Sequence, residues 1–191
     1  MKSVPINTAL AACLLLAACA STPDHFYTLS TLPDMGQMPQ STPTTPVRLN
    51  VTVPSLVDRS EIVLNTSKSG ILVFDHERWG APLSDQVAQT LARDIEQRRA
   101  DLLIGDRRFD QSASPPVSVR VDIIRMSAQR HGEGSIEAHW RVVDASSRVD
   151  QLGSGSFTVS INGDSFAAVA QAYSQLLSKL AEKLAADIRR R

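Results

Sequence analysis

Cysteine, an excess of charge of either sign, long apolar runs and catalytic signatures are all missing or scarce in this chain, and each shortage excludes something. Among 191 residues only Cys13 and Cys19 are cysteines. A domain following them has no disulfide to lean on and must stand on its packed core. Lys plus Arg number 20 against 20 Asp plus Glu. Loss of Lys2 with a leader would lower the basic count only to 19, and such a near-neutral balance argues against a nucleic-acid footprint, which needs a basic face. The main apolar stretch, Ala9 to Ala18, is half of the roughly 20 residues a spanning helix needs. It is followed by Ser21, Thr22 and Pro23, so no transmembrane helix is expected.

Signatures of chemistry are missing too. There is no phosphate-binding loop, no dinucleotide fingerprint and no evident carboxylate pair. None of His25, His76, His131 and His139 has a nucleophile motif beside it. Gly153-Ser154-Gly155-Ser156 lacks the G-x-S-x-G spacing and precedes a strand pattern, so it reads as the start of a strand or a bulge. His131-x-Glu133 and Glu137-x-His139 flank one hairpin but have no cysteine ligands and no helical H-E-x-x-H beside them. They read as a solvated strand surface. We expect no catalytic residue, no metal and no cofactor.

What is present begins with a leader. Lys2, the apolar run from Ala9 and the small residues ahead of Cys19 are the parts of a secretory signal. Leu16-Ala17-Ala18-Cys19 resembles the lipobox of bacterial lipoproteins. The same tetrapeptide occurs at Leu10-Ala11-Ala12-Cys13, but Pro5, Asn7 and Thr8 interrupt the apolar segment before it, whereas a signal core needs about 7–15 apolar residues. The resemblance implies removal of residues 1–18 and a diacylglycerol and N-acyl chain on Cys19. Two chains already give stable anchoring at about 0.8 kcal/mol per buried CH₂. Ala20, where an Asp would favour inner-membrane retention, implies the periplasmic face of the outer membrane.

Residues 19–25 then form a lipidated tether and 26–191 a single domain, interrupted at 30–46 by a Pro-rich loop with almost no apolar bulk. His25–Leu29 favours a strand. From Ala20 to His25 is six residues, a reach of about 20 Å, which would set the domain against the membrane. Val47–Val53 alternates apolar and polar up to Pro54, and Glu61–Asn65 with Ile71–Phe74 makes a hairpin. Leu83, Val87, Leu91 and Ile95 mark a helix with Pro82 at its first position, followed by a short buried strand at Leu102–Ile104.

Period two then returns in Val117–Ile123, Ile136–Val142 and Phe157–Ile161, an antiparallel meander with one wet face. Phe166 to Ile188 carries the apolar stripe of a last helix with Asp164-Ser165 as its cap, and Arg189–Arg191 read as cations at a helix end. The expected fold is α+β, a two-layer sandwich of a largely antiparallel sheet with two amphipathic helices on one face.

Three segments, taken in order, resemble the PqiC/YmbA family of auxiliary lipoproteins that accompany MCE-type lipid transport systems and related ABC transporters. They are Phe26-Tyr27-Thr28-Leu29, then Val53-Pro54 with Leu56-Val57-Asp58-Arg59-Ser60-Glu61-Ile62-Val63, then Arg78-Trp79-Gly80-Ala81-Pro82-Leu83. Ser60 stands where the family often has Pro, and Gly80-Ala81 replaces its usual Ala-Glu. Read without the resemblance, Trp79 is an aromatic plug of the helix end against the sheet, with Arg78 stacked or paired nearby.

The resemblance implies a noncatalytic auxiliary subunit held at the outer membrane by Cys19 and contributing to envelope integrity. It would meet the end of a periplasm-spanning MCE protein and self-associate into a ring or other closed oligomer. The alternative is a stand-alone lipid-binding or envelope-assembly lipoprotein.

Overall fold

Among the described residues, two amphipathic helices and eight strands account for the apolar periodicities. The computed structural model describes residues 22–31, 45–66, 69–105, 117–144 and 149–188. In chain order the elements are β1 (His25–Tyr27), β2 (Thr45–Thr52), β3 (Glu61–Asn65), β4 (Ile71–Trp79), α1 (Leu83–Arg98), β5 (Leu102–Gly105), β6 (Val117–Ala128), β7 (Glu133–Val143), β8 (Val149–Ser160) and α2 (Phe166–Asp187). Cys19, most of the 30–46 loop, Ser67-Lys68, Ser112–Pro116, Ser146-Ser147 and Arg189–Arg191 lie outside the described residues.

The fold is α+β. Its strands form two mixed sheets, one ordered β1-β4-β3 and the other β5-β2-β6-β7-β8. The expected antiparallel meander is β6-β7-β8, with Val121 opposite Trp140 and Trp140 opposite Gly153. The parallel pairs β2 with β5, β2 with β6 and β1 with β4 were not expected. Periodicity reports which face of a strand is buried and carries no information about its neighbour. Parallel partners therefore leave no mark on a single strand's pattern.

Core packing follows the stripes. Leu83, Val87, Leu91 and Ile95 of α1 are fully buried, as are Val169, Leu176, Leu177, Leu180 and Leu184 of α2. Each contributes about 1.5–3 kcal/mol through burial. Helix α2 packs on β7 and β8, α1 on β2 and β5, and the helices on each other. Along β6 the register shifts between Ile123 and Arg125, so Ile123 and Met126 point inward while Ile124 is pushed out and stands 52% exposed.

Two boundaries differ from the sequence reading. Strand β4 runs on through Asp75-His76-Glu77-Arg78 to Trp79, because its pairing with β3 jumps from Ile62–Phe74 to Glu61–Arg78. On its other side the end of β4 pairs with β1, where Glu77, Arg78 and Trp79 lie opposite His25, Phe26 and Tyr27. Gly153–Ser156 lies inside β8 and not at its start. A Cβ at Gly153 would come within 2.2 Å of the Trp140 indole, so the glycine makes room for the ring of the neighbouring strand.

Candidate functional site

The three segments singled out in the sequence meet around the end of β4. Tyr27 lies opposite Trp79 across the β1–β4 pair, and Phe26 opposite Arg78. The Gly80 N–H donates to the Tyr27 carbonyl at 2.8 Å, and the Trp79 N–H to the Ser60 carbonyl at 2.7 Å. Backbone bonds thus bring residues 27, 60 and 79 together from three stretches of chain. Trp79 is 5% exposed, with its ring centroid 6.1 Å from that of Tyr173 in α2. Leu83 is fully buried, while Phe26 stands out at 65% exposure.

Pro82 is the residue just before the first helical position and not that position itself, with φ −48° and ψ 130°. Its side chain cannot accept a hydrogen bond, so the helix is capped from another segment: Asp58 Oδ1 accepts the Ser84 N–H at 3.0 Å. Replacing Asp58 with Ala should cost about 1 kcal/mol. Chemical denaturation would check this, and Asp58→Asn should recover most of the loss because its amide oxygen still accepts.

Charge surrounds the cluster. Arg59 Nε donates to Glu61 Oε2 at 2.9 Å, and this hydrogen bond is the chief reason the Glu61 carboxyl is lowered to about 2. Arg78 donates from Nη2 to Ser60 Oγ at 3.1 Å and lies 3.5 Å from both Asp24 and Glu61. His76 bonds Asp24 at 3.0 Å and His25 bonds Glu77 at 3.1 Å. The His76 contact is the main cause of the lowered Asp24 carboxyl. Tyr27 donates its hydroxyl to Glu77 at 2.7 Å, and burial followed by that bond pushes the phenol up to about 12.

An open cavity of about 390 Å³ sits beside these groups, lined by Asp58, Arg59, Ser60, Trp79, Pro82 and Ser84 among others. It offers a guanidinium, the edge of a buried indole and a capped helix start.

Sequence reasoning missed the residues that lock β1 in place. The Leu29 N–H donates to Gln86 Oε1 at 2.8 Å and the Ser30 N–H to Ser174 Oγ at 3.1 Å. Gln86 and Ser174 are buried polar residues, as are Thr90 and Asp94 of α1 and Ser178 of α2, and polar positions repeating every four residues beside an apolar stripe are the signal that could have pointed to them. The histidines weighed as ligands stay apart in role: His131, at φ 52° in the β6–β7 turn, pairs with Asp164, and His139 is exposed on β7. No group of three potential metal ligands gathers among the described residues.

These features define an α+β fold in which three stretches of chain meet beside an open cavity. Among the described residues no helix is long and apolar enough to cross a membrane. The chain belongs to the family of ABC-type transport auxiliary lipoprotein components, whose pattern matches residues 27–185. All three segments fall in that span except Phe26, one residue before it. An auxiliary role in ABC-type transport follows from that membership.

The fold is shared with solved structures. One crystal structure of an uncharacterized protein superposes with a TM-score of 0.73 at 13% identity, covering 88% of this chain and 100% of the other. A protein of the DUF330 family from Xanthomonas campestris gives 0.62 at 17% identity, covering 84% and 91%. No curated protein matches significantly.

Proposed function

We propose that this chain is a noncatalytic auxiliary subunit of an MCE-type lipid transport system. It is held by acyl chains on Cys19 at the periplasmic face of the outer membrane, where it contributes to envelope integrity as a self-associating domain. The observation that carries this reading is the place of β1. It starts six residues after Cys19 and is tied by backbone bonds to the Ser60–Trp79 cluster. A short tether of about 20 Å then holds the cluster and its cavity at the membrane, where the end of a periplasm-spanning partner arrives.

Arg59, Trp79 and the cavity beside them form the docking surface in this reading. Arg and Trp are enriched among the residues that dominate interfaces.

The test has two parts. In cells given labelled palmitate, the wild-type chain is expected to take up label and fractionate with the outer membrane, while Cys19→Ala does neither; label on Cys19→Ala would overturn the anchoring. A photo-crosslinking residue at Arg59 should capture the MCE protein encoded beside this chain. Its absence from the adduct, with the same residue at Arg120 on the far sheet capturing it instead, would overturn the docking surface.

A further inference from the structure

Strand β1 follows the anchor directly, yet little apolar packing holds it. It is three residues long, lies at the edge of its sheet and pairs with β4 alone among the described strands. From Asp24 to Ser30 no residue is fully buried, and only Tyr27 and Leu29 are half-buried. Polar contacts do the holding. Glu77 meets His25 and the Tyr27 hydroxyl, while His76 and Arg78 reach Asp24. The Gly80 N–H donates to the Tyr27 carbonyl, and Gln86 and Ser174 accept the Leu29 and Ser30 N–H groups. Exposed pairs contribute little each, and elements with few buried apolar contacts open at the low end of a fold's range of free energies.

The groups that receive β1 also have partners in the body of the domain. Gln86 Nε2 donates to the Ala81 carbonyl and Ser174 Oγ to the Ala170 carbonyl, both at 2.9 Å. Arg78 keeps Ser60 and Glu61. Arg130 covers the Phe166 ring that Tyr27 borders, with its guanidinium 4.1 Å from the ring centroid. The seat of β1 is thus assembled without β1.

We infer that β1 is a releasable strap that sets the length of the lipid tether. This deepens the proposed function and rests on its anchoring through Cys19. With β1 docked, the six residues from Ala20 to His25 reach about 20 Å. With β1 released, the next strand is β2, and the 25 residues from Ala20 to Thr44 can span at most about 90 Å. The domain is then held close to its membrane or let out from it without losing the anchor. Gly80, which bonds Tyr27, lies between Trp79 and Ala81 of the cavity wall, so release is felt at the docking surface as well.

Hydrogen exchange of the acylated mature chain in detergent reads the strap directly. Relative to their intrinsic rates, the Leu29, Ser30 and Gly80 amides are expected to exchange about a hundredfold faster than those of Val121 and Trp140, at the centre of the β6–β7 pair. Glu77→Ala removes the acceptor shared by His25 and Tyr27. It should speed the three amides about fivefold more and leave Val121 and Trp140 unchanged. Exchange of all five amides at one rate, in wild type and variant alike, would overturn the strap.

Tether length is read by energy transfer. Acylation of Cys19 leaves Ser154→Cys, at an exposed position of β8, as the one thiol to carry a donor dye. With an acceptor lipid in vesicles of phosphatidylethanolamine and phosphatidylglycerol, Glu77→Ala should lower the transfer about twofold. Unchanged transfer despite faster exchange would overturn the tether-length role. A chain that fails to join the vesicles would overturn the anchor and the tether length with it, whereas the exchange result decides the opening of β1 on its own.

Discussion

Gly153→Ala is expected to destabilise the protein by about 3 kcal/mol, the upper end of what overpacking a core costs, and to lower Tm by about 6–12 °C for a chain of this length. The added Cβ would sit 2.2 Å from both Cε2 and Nε1 of Trp140 and 2.5 Å from Cζ2. The indole cannot step aside cheaply. Trp140 is buried, and its Nε1–H donates to Asp187 Oδ2 at 2.7 Å, which ties the ring to the last turn of α2. Any shift that clears the new methyl must stretch or break that bond.

The interaction is separable by a double-mutant cycle. In a Trp140→Ala background the clashing atoms are gone, so the glycine substitution should cost less than about 1 kcal/mol, a large non-additivity of the kind neighbours show. Gly163→Ala supplies the contrast. Nothing lies within 4 Å of its virtual Cβ, but its φ of +116° is one that side-chain-bearing residues rarely adopt. It should lose about 1 kcal/mol through the backbone alone, and Trp140→Ala should leave that cost unchanged. Thermal melts of the six chains, wild type, three single variants and two double variants, decide the matter.

The same glycine shows where sequence reading stops. The apolar positions of α1, α2 and the β6-β7-β8 meander were legible because their spacing is a property of one element at a time. Gly153-Ser154 looked like a strand's beginning because the reason for the glycine, Trp140, lies on another strand. The sequence pattern of β4 stops at Phe74 for a related reason: Asp75–Arg78 breaks the alternation, and the β1 residues opposite Glu77 and Arg78 lie about fifty residues earlier.

The candidate site divides in the same way. Asp58, Arg59, Arg78, Trp79 and Pro82 stand out in the sequence through their segments. That Asp58 caps α1, or that Gln86 and Ser174 hold the chain after β1, depends on contacts 26 to 144 residues apart. No local pattern encodes such contacts, although polar positions repeating beside an apolar stripe mark where to look for one.

Arg99 directly follows α1, and its loss should be more damaging than the Gly153 substitution. It is buried and makes four hydrogen bonds. Nε and Nη2 grip Asp101 as a fork, both at 2.8 Å. Nη1 reaches the carbonyls of Ala185 at 2.9 Å and Ile188 at 2.6 Å, in the last turn of α2. One guanidinium thus joins the ends of both helices and satisfies carbonyls that the end of α2 leaves open. The hydrogen bond from Asp101 raises the Arg99 pKa.

Arg99→Ala should cost about 3–5 kcal/mol, because it leaves two buried carbonyls without a donor, at about 1–3 kcal/mol each, and takes the cation from a partly exposed Asp101. Arg99→Lys should recover less than half of it, because an ammonium cannot fork onto the carboxylate and reach two carbonyls together. Urea denaturation gives the magnitudes, and hydrogen exchange gives the cause. If the guanidinium acts as this clamp, amides in the last turn of α2 exchange faster in Arg99→Lys, while those at the centre of β7 keep their protection. Uniform loss across the sheet would mean that Arg99 supports the core as a whole and not the meeting of the two helix ends.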